Sequence, residues 1–416
     1  MPALRDGEPA PADGLLPPSA VAGAAERQFS LYVHVPFCSV RCGYCDFNTY
    51  TALELGQDVS QEAYHRDAEQ EIRFADSVLR ATGAPRRALS TVFFGGGTPT
   101  RLAAADLVSV LTTARETFGI TTTAEVTTEA NPDSVTLEDL QTLSDGGFTR
   151  VSFGMQSAVP HVLETLDRTH DPRNVGPVVQ WAKQAGLSVS VDLIYGTPGE
   201  SVADWEQSLQ EAISYEPEHI SAYSLIVEDG TKMAAAMRRG EIPMIDPDDQ
   251  AEKYERADAL LGQAGYQWYE ISNWSRAAQG RTAAQNRSAH NLAYWHNQDW
   301  WGIGPGAHSH VGGVRWWNRK HPVPYTNAVR DGISPAAGRE SLDAGTQLFE
   351  RIMLETRTVD GLPISVLQES ERHEVAGLVA EGLIEGRAAI AGQVVLTLKG
   401  RLLGDAVVRR LVPQLS

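Results

Sequence analysis

The three cysteines of this 416-residue chain all lie within eight positions, in the stretch HVPFCSVRCGYC. They are Cys38, Cys42 and Cys45, with the spacing CxxxCxxC. An odd number of cysteines argues against a disulfide framework, and thiols grouped in this way are more often metal ligands or nucleophiles. The spacing therefore predicts a metal centre or a reactive thiol group at residues 38–45.

The number of ligands separates the possible kinds of site. Packing of small buried residues would not bring all the cysteines of a chain together. Structural zinc takes four ligands, usually in two paired groups, and the sequence has no second cysteine group. Three thiolates on one loop suit a [4Fe–4S] cluster with one iron left open to a small molecule. We interpret Cys38, Cys42 and Cys45 as ligands of such a cluster.

The strands and helices that position this loop can be predicted from the sequence, in which strand patterns alternate with amphipathic helical patterns. The strand patterns are FSLYVHV (29–35), STVFFGG (90–96), AEVTTEA (124–130), RVSFGMQ (150–156), LSVSVDLIYG (187–196) and HISAYSLIV (219–227). Repeated strand–helix units favour a parallel sheet with right-handed crossovers. Six units fall short of the eight of a closed barrel. The pattern predicts an α/β fold, a partial (β/α)6 barrel over residues 29–270.

Polar or glycine-rich groups stand at the ends of the predicted strands. The second strand ends in GGGTPT (95–100), the third at Glu129, the fourth at Gln156 and the fifth at Asp192. Functional groups gather at the carboxyl ends of parallel strands. Each residue by itself could be a cap or a turn former. Together with the cysteines after strand one, however, five consecutive strand ends carry groups able to bind a charged ligand.

The amino-acid composition of the chain changes after residue 270. Residues 271–340 are rich in Trp, His, Asn and Gly and are interpreted as a connecting region. Residues 341–416 alternate short helical patterns with a predicted β-hairpin at 382–400, which is typical of a small winged-helix-like unit. This unit carries ten Asp and Glu against eight Lys and Arg, so it lacks the cationic surface of a DNA-binding domain. Packing or contact with a partner is the better interpretation.

Composition and net charge further narrow the class of protein to which this chain could belong. Hydrophobic residues make up 42% and charged residues 21%, as in ordinary globular proteins. A net charge of −18 argues against broad binding to nucleic acid or to anionic membranes. No apolar run reaches the roughly 18 residues of a membrane span. Residues 1–28 lack the basic and apolar regions of a signal peptide, so we predict a flexible tail and a cytoplasmic protein.

The CxxxCxxC loop after the first strand, with Tyr44 before the third cysteine, resembles the radical S-adenosylmethionine (SAM) superfamily. The stretches LYVHVPFC, GGGTPT, SFGMQS, LDRTH and VDLIYGTPGE are similar to its HemN/HemW branch. The likeness is strong over residues 30–230 and extends to the C-terminus. In this superfamily the methionyl amine and carboxylate of SAM chelate the open iron. Electron transfer from the cluster then yields a 5′-deoxyadenosyl radical.

The resemblance also implies which residues surround SAM. A carboxylate such as Glu129 or Asp192 would hold the amine or the ribose hydroxyls, and Arg168 would hold the carboxylate. The implied set is Tyr32, Tyr44, Gly96, Gly97, Thr98, Glu129, Gln156, Arg168 and Asp192.

The stretch HNLAYW (290–295) permits two interpretations from its residues alone. His290, Asn291, Tyr294 and Trp295 would share one face of a helix. A neutral imidazole can be an axial ligand of heme iron, and aromatic rings offer flat apolar area to a porphyrin. Alternatively, the aromatic residues are core and His290 is a satisfied polar cap. The resemblance favours the first, because HemW-type proteins use an HNxxYW motif to bind heme.

Phe47 separates the two activities of the branch. The oxygen-independent coproporphyrinogen III dehydrogenases carry a further cysteine two positions after the third, and this chain has Phe47 there. HemW-type proteins have an aromatic residue at this point and are regarded as heme chaperones. The resemblance therefore implies a heme chaperone, rather than an enzyme, that delivers heme to acceptor hemoproteins and forms a homodimer.

Two alternatives remain from the sequence. One is oxidative decarboxylation of coproporphyrinogen III, in which the adenosyl radical would abstract a hydrogen atom from a propionate side chain. The other is a radical enzyme for an unrelated substrate, which would leave HNLAYW unexplained.

Overall fold

Six parallel strands form the centre of the fold in the computed structural model, which describes residues 7–55 and 61–412. They are β1 (Phe29–Val35), β2 (Leu89–Gly96), β3 (Ile120–Ala130), β4 (Arg150–Gln156), β5 (Ser188–Tyr195) and β6 (His219–Ser224). They pair in sequence order. The prediction of a parallel α/β sheet is confirmed. Both faces of these strands are buried in their central parts, which explains their nearly continuous apolar runs.

The sheet continues beyond both edges of this centre. The added strands are β7 (Gln267–Glu270), β8 (Asn273–Ser275), β9 (Asp299–Ile303), β10 (His308–Val311), β11 (Val314–Asn318) and β12 (Ala336–Ser341). Strand β9 runs parallel to β1, and β10, β11 and β12 follow antiparallel beyond it. On the other edge, β8 and β7 follow β6. The expected connecting region thus contributes strands β8 to β12 to a 12-stranded sheet.

Helices cover the sheet and build the C-terminal unit. They are α1 (Pro18–Val21), α2 (Ala52–Leu55), α3 (Tyr64–Ala81), α4 (Ala104–Phe118), α5 (Leu137–Gly146), α6 (Pro160–Thr165), α7 (Val175–Gln184), α8 (Val202–Ser214), α9 (Lys232–Arg238), α10 (Pro247–Gln263), α11 (Ala289–Trp295), α12 (Pro322–Arg330), α13 (Ala344–Glu355), α14 (Glu369–Ala380), α15 (Gly386–Ile390), α16 (Leu398–Leu402) and α17 (Gly404–Leu411). Helices α5 and α8 start at capping boxes of Thr136 and Ser201. In the described part of the chain, no helix combines the length and the apolar character needed to span a membrane.

The flexible tail predicted for residues 1–28 is wrong for residues 7–28, and residues 1–6 lie outside the described part. Glu8 and Arg339 exchange backbone hydrogen bonds of 2.7 and 2.8 Å beside β12. Leu16 and Ala20 are buried in the main core. The composition of this segment favours disorder, but its apolar side chains Leu16 and Ala20 pack into the main core.

The C-terminal unit has a core of its own, which includes Ile352, Leu378 and Val407. The hairpin predicted over 382–400 exists only at its base, where Ile384 and Leu396 form one antiparallel bridge. The Ala-rich middle is helix α15, as helix propensity favours. The two-residue strand β14 (Gln393–Val394) pairs instead with β13 (Leu362–Pro363).

Candidate functional site

Two neighbouring cavities lie inside the barrel. The first, which we call the cluster cavity, has a volume of about 570 Å³ and lies at the carboxyl ends of the strands. The second, the inner cavity, has about 150 Å³ and lies deeper, beside α11. Both cavities are lined by Glu129, Ser152, Asp192 and Tyr223. These four residues therefore form the floor of one cavity and the roof of the other.

The cluster cavity gathers most of the predicted ligands. It is lined by all three cysteines and by eight of the nine residues expected around SAM, namely Tyr44, Gly96, Gly97, Thr98, Glu129, Gln156, Arg168 and Asp192. Tyr32 is the exception. It lines the inner cavity, where its hydroxyl contacts His34 Nδ1 at 3.0 Å. Eight of the nine residues that the resemblance implies around SAM therefore line the same cavity as the thiols.

The cysteine loop packs against the glycine-rich end of β2. The backbone N–H groups of Gly97 and Thr98 donate to the carbonyls of Val35 and Phe37 at 2.8 Å. A Cβ atom on Gly97 would lie 2.6 Å from the Phe37 carbonyl oxygen and 3.0 Å from Cys38 Sγ. Only glycine permits this approach, which holds the loop directly over the strand end.

The donor set of the cysteine loop is the one expected for a [4Fe–4S] cluster. All three thiols are half-buried and line one cavity. Three thiolates on one loop suit such a cluster with one iron left open to a small molecule. Burial raises the pKa of the Cys38 thiol to about 11, so metal binding there must release a proton.

The floor of the cluster cavity is acidic. Glu129 Oε2 accepts a hydrogen bond of 3.1 Å from the Gly96 N–H, and Asp192 Oδ2 accepts one of 2.8 Å from Ser152. Burial, together with the charge of Asp192, raises the pKa of Glu129 to about 8. Burial also raises the pKa of Asp192. Two buried carboxylates with raised pKa values favour a cationic ligand, because it would let both ionise.

The end of β4 is distorted toward the cluster cavity. Gln156 has a φ of 62°, in the left-handed region, and the register of β4 with β5 shifts between Gly154 and Gln156. Arg168 donates to the Gly154 carbonyl at 2.8 Å and to Cys42 Sγ at 3.7 Å. Backbone strain of this kind persists where the surroundings impose it, often at ligand sites. Here the strained residue lines the cluster cavity, and the Arg168 guanidinium bridges the end of β4 and Cys42.

The HNLAYW stretch forms α11, whose His290, Asn291 and Tyr294 line the inner cavity. His290 is 2% exposed, and its ring stacks on Phe93 with centroids 5.0 Å apart. Its Nδ1 lies 2.7 Å from Thr91 Oγ1 and its Nε2 lies 2.9 Å from the Tyr294 hydroxyl. Trp295 ends the helix half-buried and does not line this cavity. The structure therefore unites three of the four predicted heme residues.

A buried ion pair holds the start of α11. Glu125 on β3 accepts hydrogen bonds from the N–H groups of Ala289 and His290 at 3.2 and 3.1 Å. Arg150 on β4 pairs with the same carboxylate at 2.9 Å and also donates to the Asn286 carbonyl at 3.3 Å. The two side chains are 13% and 5% exposed, respectively. Ser288 is the N-cap and accepts from the Asn291 N–H, and the strand carboxylate of Glu125 binds two further N–H groups of the first turn, which fixes α11 inside the barrel.

Comparison with known proteins identifies the family. The radical SAM superfamily model matches residues 32–212. The chain is 43% identical to "Heme chaperone HemW" of Mycobacterium tuberculosis over 387 residues. These aligned residues cover 93% of this chain and 95% of that protein. It is 32% identical to the protein of the same name from Bacillus subtilis, over 91% and 97% of the two chains. This chain belongs to the HemW family.

The fold of this HemW-family chain also matches a solved structure. Coproporphyrinogen III oxidase (HemN) of Escherichia coli, described as a radical SAM enzyme, superposes with a TM-score of 0.77 over 97% of this chain and 95% of that one. The sequences are 23% identical, so this likeness concerns the fold alone. It confirms the radical SAM architecture, including its extension through the C-terminal region.

Several residues of the site lie outside the predicted set. Tyr223 and Ser152 line both cavities, and Thr91, Glu125 and Arg150 hold α11. These residues could have been found in the sequence as polar residues within otherwise apolar strand patterns, such as Thr91 in STVFFGG. Phe47 lies at the rim of the cluster cavity and is 58% exposed.

The carboxylate of Glu129 leads to a pH prediction for the cluster-free protein. Its folded pKa of about 8 lies above its ordinary value of 4.5, so the folded state binds the extra proton between these pH values. Stability should therefore fall as the pH rises from about 5 to 8, by up to about 1 kcal/mol per pH unit from this group. Glu129→Gln should remove that part of the slope. Urea unfolding at several pH values measures it.

Glu138, an exposed carboxylate on α5, supplies the matched control. Glu138→Gln should leave the wild-type slope unchanged. Equal slopes for wild type and Glu129→Gln would contradict the raised pKa of Glu129.

Proposed function

We propose that this HemW-family chain is a heme chaperone, which binds heme through α11 and passes it to acceptor hemoproteins. The observation that carries the proposal is the intact HNLAYW motif, with His290, Asn291 and Tyr294 grouped around one cavity. Phe47 supports it, because it stands at the rim where a dehydrogenase of the branch would have another cysteine. The names of the bacterial relatives point in the same direction.

We further propose that Cys38, Cys42 and Cys45 hold a [4Fe–4S] cluster and that SAM binds beside it. The half-buried thiols and the open cavity support this assignment. One-electron cleavage of the SAM sulfonium is the chemistry that the bound cluster supplies. The residues of the chain would orient SAM: Glu129 and Asp192 toward its positive groups, and Arg168 toward its carboxylate.

Binding of heme at His290 requires α11 to move. Pockets for ligands of drug size have volumes of about 300–1,000 Å³, whereas the inner cavity has about 150 Å³. The ring of Tyr294 also packs edge-on against Trp300 of β9, with centroids 4.7 Å apart. We therefore propose that the C-terminal part of α11, with Tyr294, shifts outward from the barrel when heme enters. His290 keeps its contact with Thr91, and its Nε2 exchanges the Tyr294 hydroxyl for iron.

Replacement of His290 by alanine tests the proposed function. His290→Ala should abolish saturable hemin binding, because it removes the imidazole that would ligate iron. The measurement is an anaerobic titration of the cluster-reconstituted protein with hemin, followed through the Soret band. The cluster absorbance should be unchanged, since none of the three cysteines lines the inner cavity.

His161→Ala on α6 is the control, because His161 is largely exposed and lies outside both cavities. It should bind hemin like the wild type. Unchanged hemin binding by His290→Ala would refute the ligand assignment. Absence of saturable hemin binding in the wild type would favour the enzymatic alternative, decarboxylation of coproporphyrinogen III. The next assay would then contain that substrate, SAM and a reductant.

A further inference from the structure

The two nitrogens of the His290 ring have different partners. Nδ1 faces Thr91 Oγ1 at 2.7 Å, and Nε2 faces the Tyr294 hydroxyl at 2.9 Å. A neutral imidazole donates from one nitrogen and accepts at the other. The neighbours of Thr91 decide which nitrogen carries the proton.

Thr91 begins a chain of hydroxyl groups that ends at a backbone carbonyl. Its hydroxyl donates to Ser30 Oγ at 2.8 Å. Ser30 Oγ lies 3.5 Å from Ser90 Oγ, and Ser90 donates to the Phe29 carbonyl at 3.1 Å. A carbonyl can only accept, so each hydroxyl in the chain points its hydrogen toward Phe29. The single proton of Thr91 is thus engaged, and Thr91 can only accept from His290.

This direction fixes the tautomer of His290. Nδ1–H donates to Thr91, so Nε2 carries the lone pair and accepts from the Tyr294 hydroxyl. The ring is also fixed in orientation, between Phe93 on its face and Tyr294 at its edge, with centroids 5.0 and 4.9 Å away. The ring is 2% exposed, and such burial disfavours its charged form.

We propose that Thr91 is the positioning residue that presents the Nε2 lone pair of His290 to heme iron, and that the Tyr294 hydroxyl covers this lone pair until heme arrives. The inference rests on the proposed function, in which His290 is the axial ligand. Binding then breaks the hydrogen bond from Tyr294 to Nε2 and forms an iron–Nε2 bond. No electron is transferred, and His290 loses no proton.

The hydrogen bond to Thr91 should also strengthen the ligand. An acceptor at the second ring nitrogen orients a metal-bound imidazole and raises its basicity, and loss of such a partner typically lowers metal affinity 10- to 100-fold. Thr91 lies on β2, a central strand of the sheet, so its position does not depend on α11 alone.

The first test uses the unmodified protein without heme. Long-range ¹⁵N–¹H NMR spectra distinguish a protonated from an unprotonated ring nitrogen, and His290→Ala identifies the signals. We expect a protonated Nδ1 and an unprotonated Nε2. The opposite tautomer would overturn the proposal. Because this measurement contains no heme, its outcome does not depend on the proposed function.

The second test compares hydroxyl variants in the holoprotein. Thr91→Val keeps the shape and removes the acceptor, so hemin should bind about 10- to 100-fold more weakly. The iron–histidine stretching frequency of the ferrous complex should fall, because the imidazole becomes less basic. Thr91→Ser should restore both values.

Thr128 supplies the matched control. It lies on the neighbouring strand β3, is fully buried and lines neither cavity, and its hydroxyl donates to the Glu129 carbonyl at 3.1 Å. Thr128→Val should resemble the wild type in hemin affinity and stretching frequency.

The outcomes separate the inference from the proposed function. If His290→Ala loses hemin while Thr91→Val retains wild-type affinity and frequency, Thr91 does not position the ligand and this inference fails alone. If His290→Ala retains hemin, both fail. If Thr91→Val does not fold, the NMR tautomer and the affinity of Thr91→Ser still decide the question.

Discussion

Replacement of Cys42 by alanine should abolish the [4Fe–4S] cluster while hemin binding survives. With only two thiolates left, two of the four irons would have no protein ligand, and the iron that Cys42 would bind would be open to solvent. Anaerobic reconstitution followed by iron and sulfide analysis measures the loss, which should be nearly complete. SAM binding should disappear with the cluster, because the open iron is the proposed anchor of its amine and carboxylate.

Hemin binding should persist in Cys42→Ala because its proposed ligand belongs to another cavity. His290 contacts Thr91 and Tyr294 in the inner cavity, and none of the three cysteines lines that cavity. Ser39→Ala changes an exposed residue of the same loop and should keep a full cluster. A complete cluster in Cys42→Ala would remove this thiol from the ligand set. Loss of hemin binding would show that the two cavities are coupled.

The sequence allowed most of the cluster cavity to be predicted, because its geometry follows from local rules. Glu129 and Gln156 stand at or next to the last residue of β3 and β4, and parallel strands bring those ends together. Asp192 lies three residues before the end of β5 and lines both cavities. Tyr32 shows the limit of this reasoning. It lies within β1, three residues before Val35, so its depth in the barrel places it beside His290 and not beside the thiols.

The surroundings of α11 could not be predicted, because they depend on contacts distant in sequence. Spacing indicated a shared helix face for His290 and Tyr294, and the structure has them in contact at 2.9 Å. Nothing in the local pattern, however, indicates that Glu125, 165 residues away, accepts from the His290 N–H. Similarly, the composition of residues 7–28 gave no sign of the strand edge that they cover.

Disruption of the pair between Glu125 and Arg150 should be strongly destabilising. Removal of one partner leaves a buried charge without compensation, which typically costs about 3–5 kcal/mol. Arg150→Met should therefore lower the free energy of unfolding by about that amount, as measured by urea denaturation. The amide hydrogens of Ala289 and His290 should exchange faster, because their acceptor loses its orientation. The double variant with Glu125→Gln should cost less than the two single changes together, since no unpaired charge then remains.

A surface pair provides the comparison for this cycle. Arg256 and Glu206 lie 2.6 Å apart, with side chains 49% and 31% exposed, and Arg256→Met should cost only about 0–1 kcal/mol. A similar small cost for Arg150→Met would mean that the buried pair does not hold α11. The dependence of α11 on this pair follows from helix length. Seven residues are too few for a helix to be stable alone, so tertiary contacts must supply its order. In the proposed movement on heme binding, these contacts would keep the start of α11, and with it His290, in place.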